Sequence, residues 1–560
     1  MMVSILKQIE QTLLAELQQA VVKAEICSTE QLPSIHLEKP KDETHGDYAT
    51  NVAMQLTKIA RKNPREIAQS IQQHIDMEKA HIKKMEIAGP GFLNFYMNKA
   101  YLHQVIHEVV EQAEHYGRST IGSGKKVQVE FVSANPTGSL HLGHARGAAI
   151  GDALCNIFDF AGFDVTREYY VNDGGNQMNN LAISLEARYM QALGMEKEMP
   201  EDGYYAKDII QYAEALKKEK GDSLLSYSSE DRLNWFKTFG LEKQLNKIKA
   251  DLHDFQVDFD VWFSESSLYE SDAIDEVLQL LKQKGKVYEE EGALWLETMP
   301  YGDDKNRVLI KKDGSYTYLT PDIAYHKNKY DRGFDVVMNI WGADHHGYIN
   351  RVKAAMSALD YDANKLEIII SQMVSLFENG EKVKMSKRTG KAVTMQELIE
   401  QVGVDAVRYF FIMRSTDSHL DFDLDLAVSK SNENPVFYVQ YAHARICSIL
   451  TQAEEQGVTL ASIDEVDFSL LDSKAELAIL NKIAQLQHEI TLAAEQRAPH
   501  RIVRYIYELA GAFHSYYKGH RVIQEEEQAL TQARLYLITA LRTVLQNVLK
   551  LIGVSAPEKM

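Results

Sequence analysis

Residues Val127-Gln128-Val129-Glu130-Phe131 alternate apolar and polar positions with β-branched side chains, which predicts a strand. The turn Asn135-Pro136-Thr137-Gly138 follows. From His141 onward, Ala149, Ala153, Ile157 and Ala161 recur every four residues, a helical spacing that Gly162 stops. Residues 164–171 read as the next strand. Strand, tight turn and crossover helix together predict a nucleotide-binding half-unit of the doubly wound type. Upstream, 1–30 predicts an amphipathic helix, 39–48 a loop, 49–61 a helix, and 85–96 two strands joined by Gly89-Pro90-Gly91. Residues 117–124 read as a linker. Residues 185–300 are densely charged with helical spacing, as in Lys217-Lys218-Glu219-Lys220, and read as an insertion. Strands resume at 307–310, 336–340 and 366–371. From 394 the pattern is helical to the end, in stretches 394–402, 435–454, 473–495, 500–520 and 525–552, which predicts a helical bundle.

A chain of 560 residues should form about 3–4 domains. The apolar fraction of 45% is that of a globular protein, and no apolar run approaches the ~18 residues of a membrane span. The N-terminus carries no cleavable signal pattern. Cys27, Cys155 and Cys447 are isolated, so neither a disulfide framework nor a cysteine-rich zinc site is indicated, and a reducing, cytoplasmic setting fits. A net charge of −19 argues against a generic nucleic-acid binder, since a protein coating DNA or RNA without discrimination is usually basic, and no DNA partner is expected. Any RNA contact must come from local basic patches.

Two tetrapeptides carry candidate chemistry. His141 and His144 share a face at a helix start, where unpaired N–H groups and the positive dipole end suit phosphates. Gly143 between them lets a ligand approach the backbone. The same residues also read as two histidines capping a helix. The second tetrapeptide is Lys384-Met385-Ser386-Lys387, in a basic loop with Lys382, Arg388 and Lys391. Its ammonium groups could close over a polyphosphate, although a solvated charge run is the blander reading.

Taken together, in this order, the two resemble the HIGH and KMSKS motifs of class I aminoacyl-tRNA synthetases. Arg388 stands where the second motif usually ends in serine. The context sharpens the likeness: Glu130 to Gly138 before the first motif, Tyr318-Leu319-Thr320-Pro321-Asp322, Trp341-Gly342-Ala343-Asp344-His345-His346-Gly347, Gly46-Asp47-Tyr48 and the terminal Val554 to Met560 resemble arginyl-tRNA synthetases along essentially the whole chain.

The resemblance implies an α/β fold: a doubly wound, Rossmann-like parallel-sheet catalytic domain over 119–395, with the insertion at about 185–300. It also implies an N-terminal α+β domain over 1–118 that touches the tRNA elbow, and an all-α stem-contact and anticodon-binding domain over 396–560. It implies ATP-dependent ligation of L-arginine to tRNA(Arg) through an arginyl-adenylate, commonly with tRNA bound first. His141, His144, Lys384 and Lys387 would be catalytic. Pro136, Gly138, His141, Gly143, His144, Met385, Ser386 and Lys387 would bind ATP. Glu130, Ser133, Asn135, His141, Tyr318, Asp322 and Asp344 would bind arginine, with Tyr318 and Asp322 facing the guanidinium, whose fork of donors calls for carboxylates. Tyr441, Phe513, Tyr517 and Met560 would contact tRNA, within a region where Arg501, Arg504, Lys518 and Arg521 interleave with aromatics against one acid of the same stretch, Glu508. Mg²⁺ would arrive with ATP as substrate, with no tightly bound cofactor or protein-held metal, and the protein would act as a monomer away from membranes.

Overall fold

The computed structural model describes residues 4–40, 42–383 and 393–560. In the N-terminal region the Ile5–Lys23 helix packs against the Pro64–His74 helix, beside an antiparallel sheet ordered β1 (Tyr48–Thr50), β3 (Phe92–Met97), β2 (Ile82–Ala88). The helix predicted over 49–61 starts later than its pattern suggests. Tyr48–Thr50 pairs with β3, and two short helices, Val52–Gln55 and Thr57–Ala60, follow before Arg61 turns left-handed at φ 51°. Residues predicted as a linker are instead strapped down. Ser119, Gly122 and Gly124 donate backbone hydrogen bonds to Phe160, Ala161 and Gly162 at 3.0, 2.9 and 2.8 Å.

The central sheet is parallel and five-stranded, ordered β11 (Leu366–Ser371), β10 (Val336–Gly342), β4 (Lys126–Glu130), β5 (Asp164–Val171), β6 (Val261–Ser264). The chain starts at β4, winds outward to β6, and returns to the other side of β4 at β10. That reversal creates a switch point between β4 and β10, where a crevice opens beyond the strand ends. β6 lies inside the stretch read as an insertion, which is therefore split. The Gly175–Ala192, Lys207–Lys220 and Ser229–Asp254 helices form one outlying layer. After β6 comes a small antiparallel sheet, β7 (Val287–Glu290), β8 (Ala293–Leu296) and β9 (Arg307–Ile310). The strand predicted at 307–310 thus belongs to this outlier.

The last third is a bundle of the Pro435–Glu455, Lys474–Ala484, Leu486–Glu495, His500–Gly519 and Gln528–Leu551 helices. It is preceded by one strand that the helical reading passed over. β14 (Leu420–Asp423) pairs with β12 (Val374–Glu378), whose other neighbour is β13 (Glu381–Lys382). Two fully buried arginines join these parts. Arg146 donates to the carbonyls of Gln372, Ser415 and Ser418 at 2.8, 3.0 and 2.9 Å. Arg408 donates to Asp152 Oδ2 at 2.5 Å and to the carbonyls of Phe255, Gln256 and Ile552 at 3.0–3.2 Å. Arg408 is tolerable in the core because four of its five donors are used, whereas Arg146 spends three on carbonyls and leaves its Nε without a partner among the described residues. Among the described residues no helix is long and apolar enough to cross a membrane.

Candidate active site

The Leu142–Phe160 helix begins at the switch point, directly after β4 and its turn. It seats closely because Gly151 faces Phe131. A Cβ there would come within 2.4 Å of that ring. His141 is the N-cap. Its Nδ1 accepts from the Gly143 N–H at 3.1 Å, while His144 Nδ1 accepts from the His141 N–H at 3.3 Å. The two rings stack 3.7 Å apart, 19° from parallel. With Nδ1 accepting in both, each imidazole carries its proton on Nε2. Gly143 has a second reason to be glycine: a Cβ there would stand 3.1 Å from the His141 ring. Pro136 is buried and Gly138 half-buried on the preceding turn, and a Cβ at Gly138 would meet open space.

Lys384, Met385, Ser386, Lys387 and Arg388 lie outside the described residues. Their flanks lie within them. Val383 donates to the Leu376 carbonyl at 2.8 Å, and on the far side Met395 donates to the Leu140 carbonyl at 2.8 Å while Thr394 bridges His141. The chain after the second tetrapeptide is thus pinned to the first residues of the histidine motif, although more than two hundred residues separate them in sequence.

A cluster of carboxylates and tyrosines gathers at the strand ends, on the same edge of the sheet as the histidine-capped helix start. Glu130 ends β4, Asp173 follows β5, Glu265 follows β6, and Asp322 sits in the first turn of the Leu319–Asp331 helix. Val132 and Ser133 leave β4 with φ of 69° and 38°, a conformation rare for non-glycine residues and costly for valine. This bend turns Ser133 Oγ back to donate to Glu130 Oε1 at 2.8 Å while accepting from the Tyr170 N–H at 3.1 Å. It also brings Asn135 to the surface. Glu130 Oε2 is taken by Lys329 Nζ at 2.5 Å. Asp173 is held by Ser264 Oγ at 2.6 Å and the Ser266 N–H at 2.9 Å. Tyr269 donates to Glu265 at 3.3 Å.

The electrostatics follow from burial and from like charges. Burial, with the Asp173 and Asp322 carboxylates beside it, raises Glu265 above the usual carboxylate range, against the pull of hydrogen bonds from Tyr170 and Tyr269. Burial and the neighbouring Glu265 and Asp322 carboxylates hold the Tyr170 phenol far up. Burial and Asp322, to which it donates, do the same for Tyr348. The Tyr269 phenol is pushed up to about 12 by burial and Glu265. Phenols locked as donors around carboxylates make a negative cluster that an organic cation would stabilise.

Tyr318, the N-cap of the Asp322 helix, is 84% exposed and stands at the rim. Asp344 is exposed beyond the end of β10, its carboxylate 3.6 Å from His345 Nε2. The structure therefore brings Glu130, Ser133 and Asp322 into one hydrogen-bonded neighbourhood and leaves Asn135, Tyr318 and Asp344 at its edge. Glu265 and Asp173 were not found from sequence, because β6, which positions them, was read as part of a helical insertion.

In the bundle, Tyr441 and Arg445 lie four apart on the Pro435–Glu455 helix, and Tyr517 faces them from His500–Gly519. Arg445 packs over both rings, 5.2 and 5.7 Å from their centroids. Phe513 is fully buried and stacks behind Tyr517 at 5.8 Å, so it supports that ring and is not itself on the surface. Tyr517 is 40% and Met560 54% exposed. The terminal segment lies against the same helix, with Gln440 Nε2 donating to the Ser555 carbonyl at 3.0 Å and His443 Nδ1 2.9 Å from the Pro557 carbonyl. The basic stripe is more neutralised than its own helix suggested. Arg501 pairs with Glu489 of the adjoining helix at 2.9 Å, and Arg504 with Glu508 at 2.9 Å. Arg445, missed from sequence, is detectable only by its four-residue spacing from Tyr441.

A parallel sheet with a histidine-capped helix at its switch point, followed by a helical bundle, is the arrangement of a class I aminoacyl-tRNA synthetase. Residues 105–414 match the model described as tRNA synthetases class I (R), catalytic domain. Residues 7–97 match the arginyl tRNA synthetase N terminal domain, and 439–560 the DALR anticodon binding domain. The chain is 58% identical over 557 residues to the arginine–tRNA ligase of Bacillus subtilis (strain 168), and 59% identical over 557 residues to that of Bacillus pumilus (strain SAFR-032), covering 100% of both chains in each case. Its fold is also that of Thermus thermophilus arginyl-tRNA synthetase, with a TM-score of 0.71, 22% identity, and coverage of 98% of this chain and 100% of that one. The chain belongs to the arginyl-tRNA synthetase family.

Proposed function

We propose that this protein joins L-arginine to tRNA(Arg) using ATP. The arginine carboxylate attacks the α-phosphorus of ATP, pyrophosphate leaves, and the arginyl-adenylate then passes its acyl group to the terminal ribose of the tRNA, releasing AMP. No covalent enzyme intermediate is needed, so the protein contributes positioning and charge stabilisation. His141 and His144 stand at the phosphates, with Lys384 and Lys387 as cations for the developing charge. Pro136, Gly138, Gly143, Met385 and Ser386 line the nucleotide. Asn135, Ser133 and Glu130 receive the amino-acid end of arginine. Asp322 and Glu265 receive the guanidinium, with Tyr318 closing over it and Asp344 at the rim. Mg²⁺ enters as part of the ATP substrate. Tyr441, Arg445, Tyr517 and Met560 meet the anticodon, with Phe513 behind them. The protein acts in the cytoplasm as a monomer.

The observation that carries the arginine reading is the cluster of carboxylates and tyrosines at the ends of the parallel strands. Its tyrosines are donors, and among the described residues no lysine or arginine forms an ion pair with Asp322 or Glu265. A neutral isostere would leave both unpaired, and lysine would lose the planar fork. Charging total tRNA with each of the twenty amino acids in turn tests this. Arginine alone should be attached, and preferential attachment of any other residue overturns it.

A further inference from the structure

Behind the cluster runs a buried polar chain with a fixed direction. Lys329 Nζ donates to Glu130 Oε2 at 2.5 Å and to Asn339 Oδ1 at 2.7 Å, and lies 4.3 Å from the centre of the Tyr325 ring. With Oδ1 so engaged, Asn339 turns its amide nitrogen to His326 Nε2 at 2.8 Å. That nitrogen must accept, so the imidazole proton sits on Nδ1, which is 3.1 Å from Asp322 Oδ1 and 2.9 Å from the Asp322 carbonyl. Lys329, Asn339 and His326 are all buried. A buried ammonium is poor value as a stability device, since apolar side chains of like volume often serve as well. Its geometry is specific, however. One end sets the carboxylate that closes β4, and the other sets the carboxylate in the first turn of the Leu319–Asp331 helix.

We propose that Lys329, acting through Asn339 and His326, is a positioning residue for amino-acid selection, orienting Glu130 and Asp322 together from a single buried charge. The proposal rests on the arginine reading above. It is tested on the full-length protein by ATP–pyrophosphate exchange with tRNA present, measuring KM for arginine and for ATP. Inhibition by agmatine, which keeps the guanidinium but lacks the carboxylate, is measured alongside. In Lys329→Met, arginine KM and the agmatine inhibition constant should both rise about tenfold or more, as for other outer-shell partners, with ATP KM within about twofold. Unchanged agmatine inhibition, or parallel losses for arginine and ATP, would overturn it. Should Lys329→Met fail to fold, the His326 pair decides. His326→Leu should weaken agmatine, and His326→Asn, which keeps an N–H donor near the Nδ1 position, should restore most of the loss. Equal behaviour of the two variants overturns the proposal. Failure of the arginine reading shows separately, as a wild-type protein that does not exchange with arginine.

Discussion

Replacing Glu265 with glutamine removes one negative charge from the guanidinium end of the cluster while keeping the side chain's size. Glu265 is buried, follows β6 directly, and accepts from Tyr269 at 3.3 Å. An amide oxygen can keep that bond. What is lost is a charge-assisted contact to the substrate cation, typically about 1.5–3 kcal/mol. At about 1.4 kcal/mol per decade, kcat/KM for arginine should fall roughly 10–150-fold. KM for ATP should stay put, because the proposed nucleotide contacts lie at the histidine-capped helix. The melting temperature should not fall, since the substitution relieves repulsion from Asp173 and Asp322. The pH dependence has a definite sign. In the free protein burial raises Glu265 above 4.5, so it takes up a proton before ordinary carboxylates do as pH drops. A bound cation favours the ionised form. Arginine must therefore expel that proton, and kcat/KM for arginine declines as pH falls through the raised value. The glutamine variant should lose this limb. Pyrophosphate exchange across pH reads both effects. A kcat/KM within twofold of wild type, or an unaltered acid limb, would refute the reasoning.

Lys387→Ala should lower adenylate formation by ~10²–10³-fold with an unchanged circular dichroism spectrum, and near-normal exchange would remove that lysine from the reaction. Arg408→Met leaves the buried Asp152 carboxylate with Arg167 at 3.6 Å and strands three carbonyls, so it should destabilise the fold by about 3–5 kcal/mol, read by chemical denaturation. Tyr517→Ala and Arg445→Ala should each raise KM for tRNA about tenfold, from the ~1–3 kcal/mol a stacked base contributes, and leave arginine KM alone; equal losses in both would argue against a tRNA role. Phe513→Ala, by contrast, should chiefly cost stability, about 3–5 kcal/mol, because the ring is fully buried.

Much of the architecture follows from local pattern. β5 and β11 have the bounds that their alternation predicts, and the Leu142–Phe160 helix starts at the histidine and stops before Gly162 as its spacing demands. These elements carry their own signals: a period, a cap and a stop. β6 and β14 carry none. Each is four residues long, with Val261–Ser264 and Leu420–Asp423 set among charged stretches of helical spacing. Each is a strand because a distant one, β5 or β12, offers it a hydrogen-bonding edge.

The same boundary runs through the site. His141, His144, Glu130, Tyr318 and Asp322 were visible because their motifs are contiguous. Glu265 was not, because nothing in its neighbourhood reveals that it ends a strand of the central sheet. Lys329 in Tyr325-His326-Lys327-Asn328-Lys329 looks like one charge of a solvated helix. Only the packing of that helix onto β4 and β10 buries it between Glu130 and Asn339. The sequence alone determined where the histidine-capped helix begins and stops, and the bounds of β5 and β11. Tertiary structure alone decided which carboxylates share a cluster and which lysine lies beneath it, because adjacency in a sheet is a property of three-dimensional winding and periodicity along the chain does not record it.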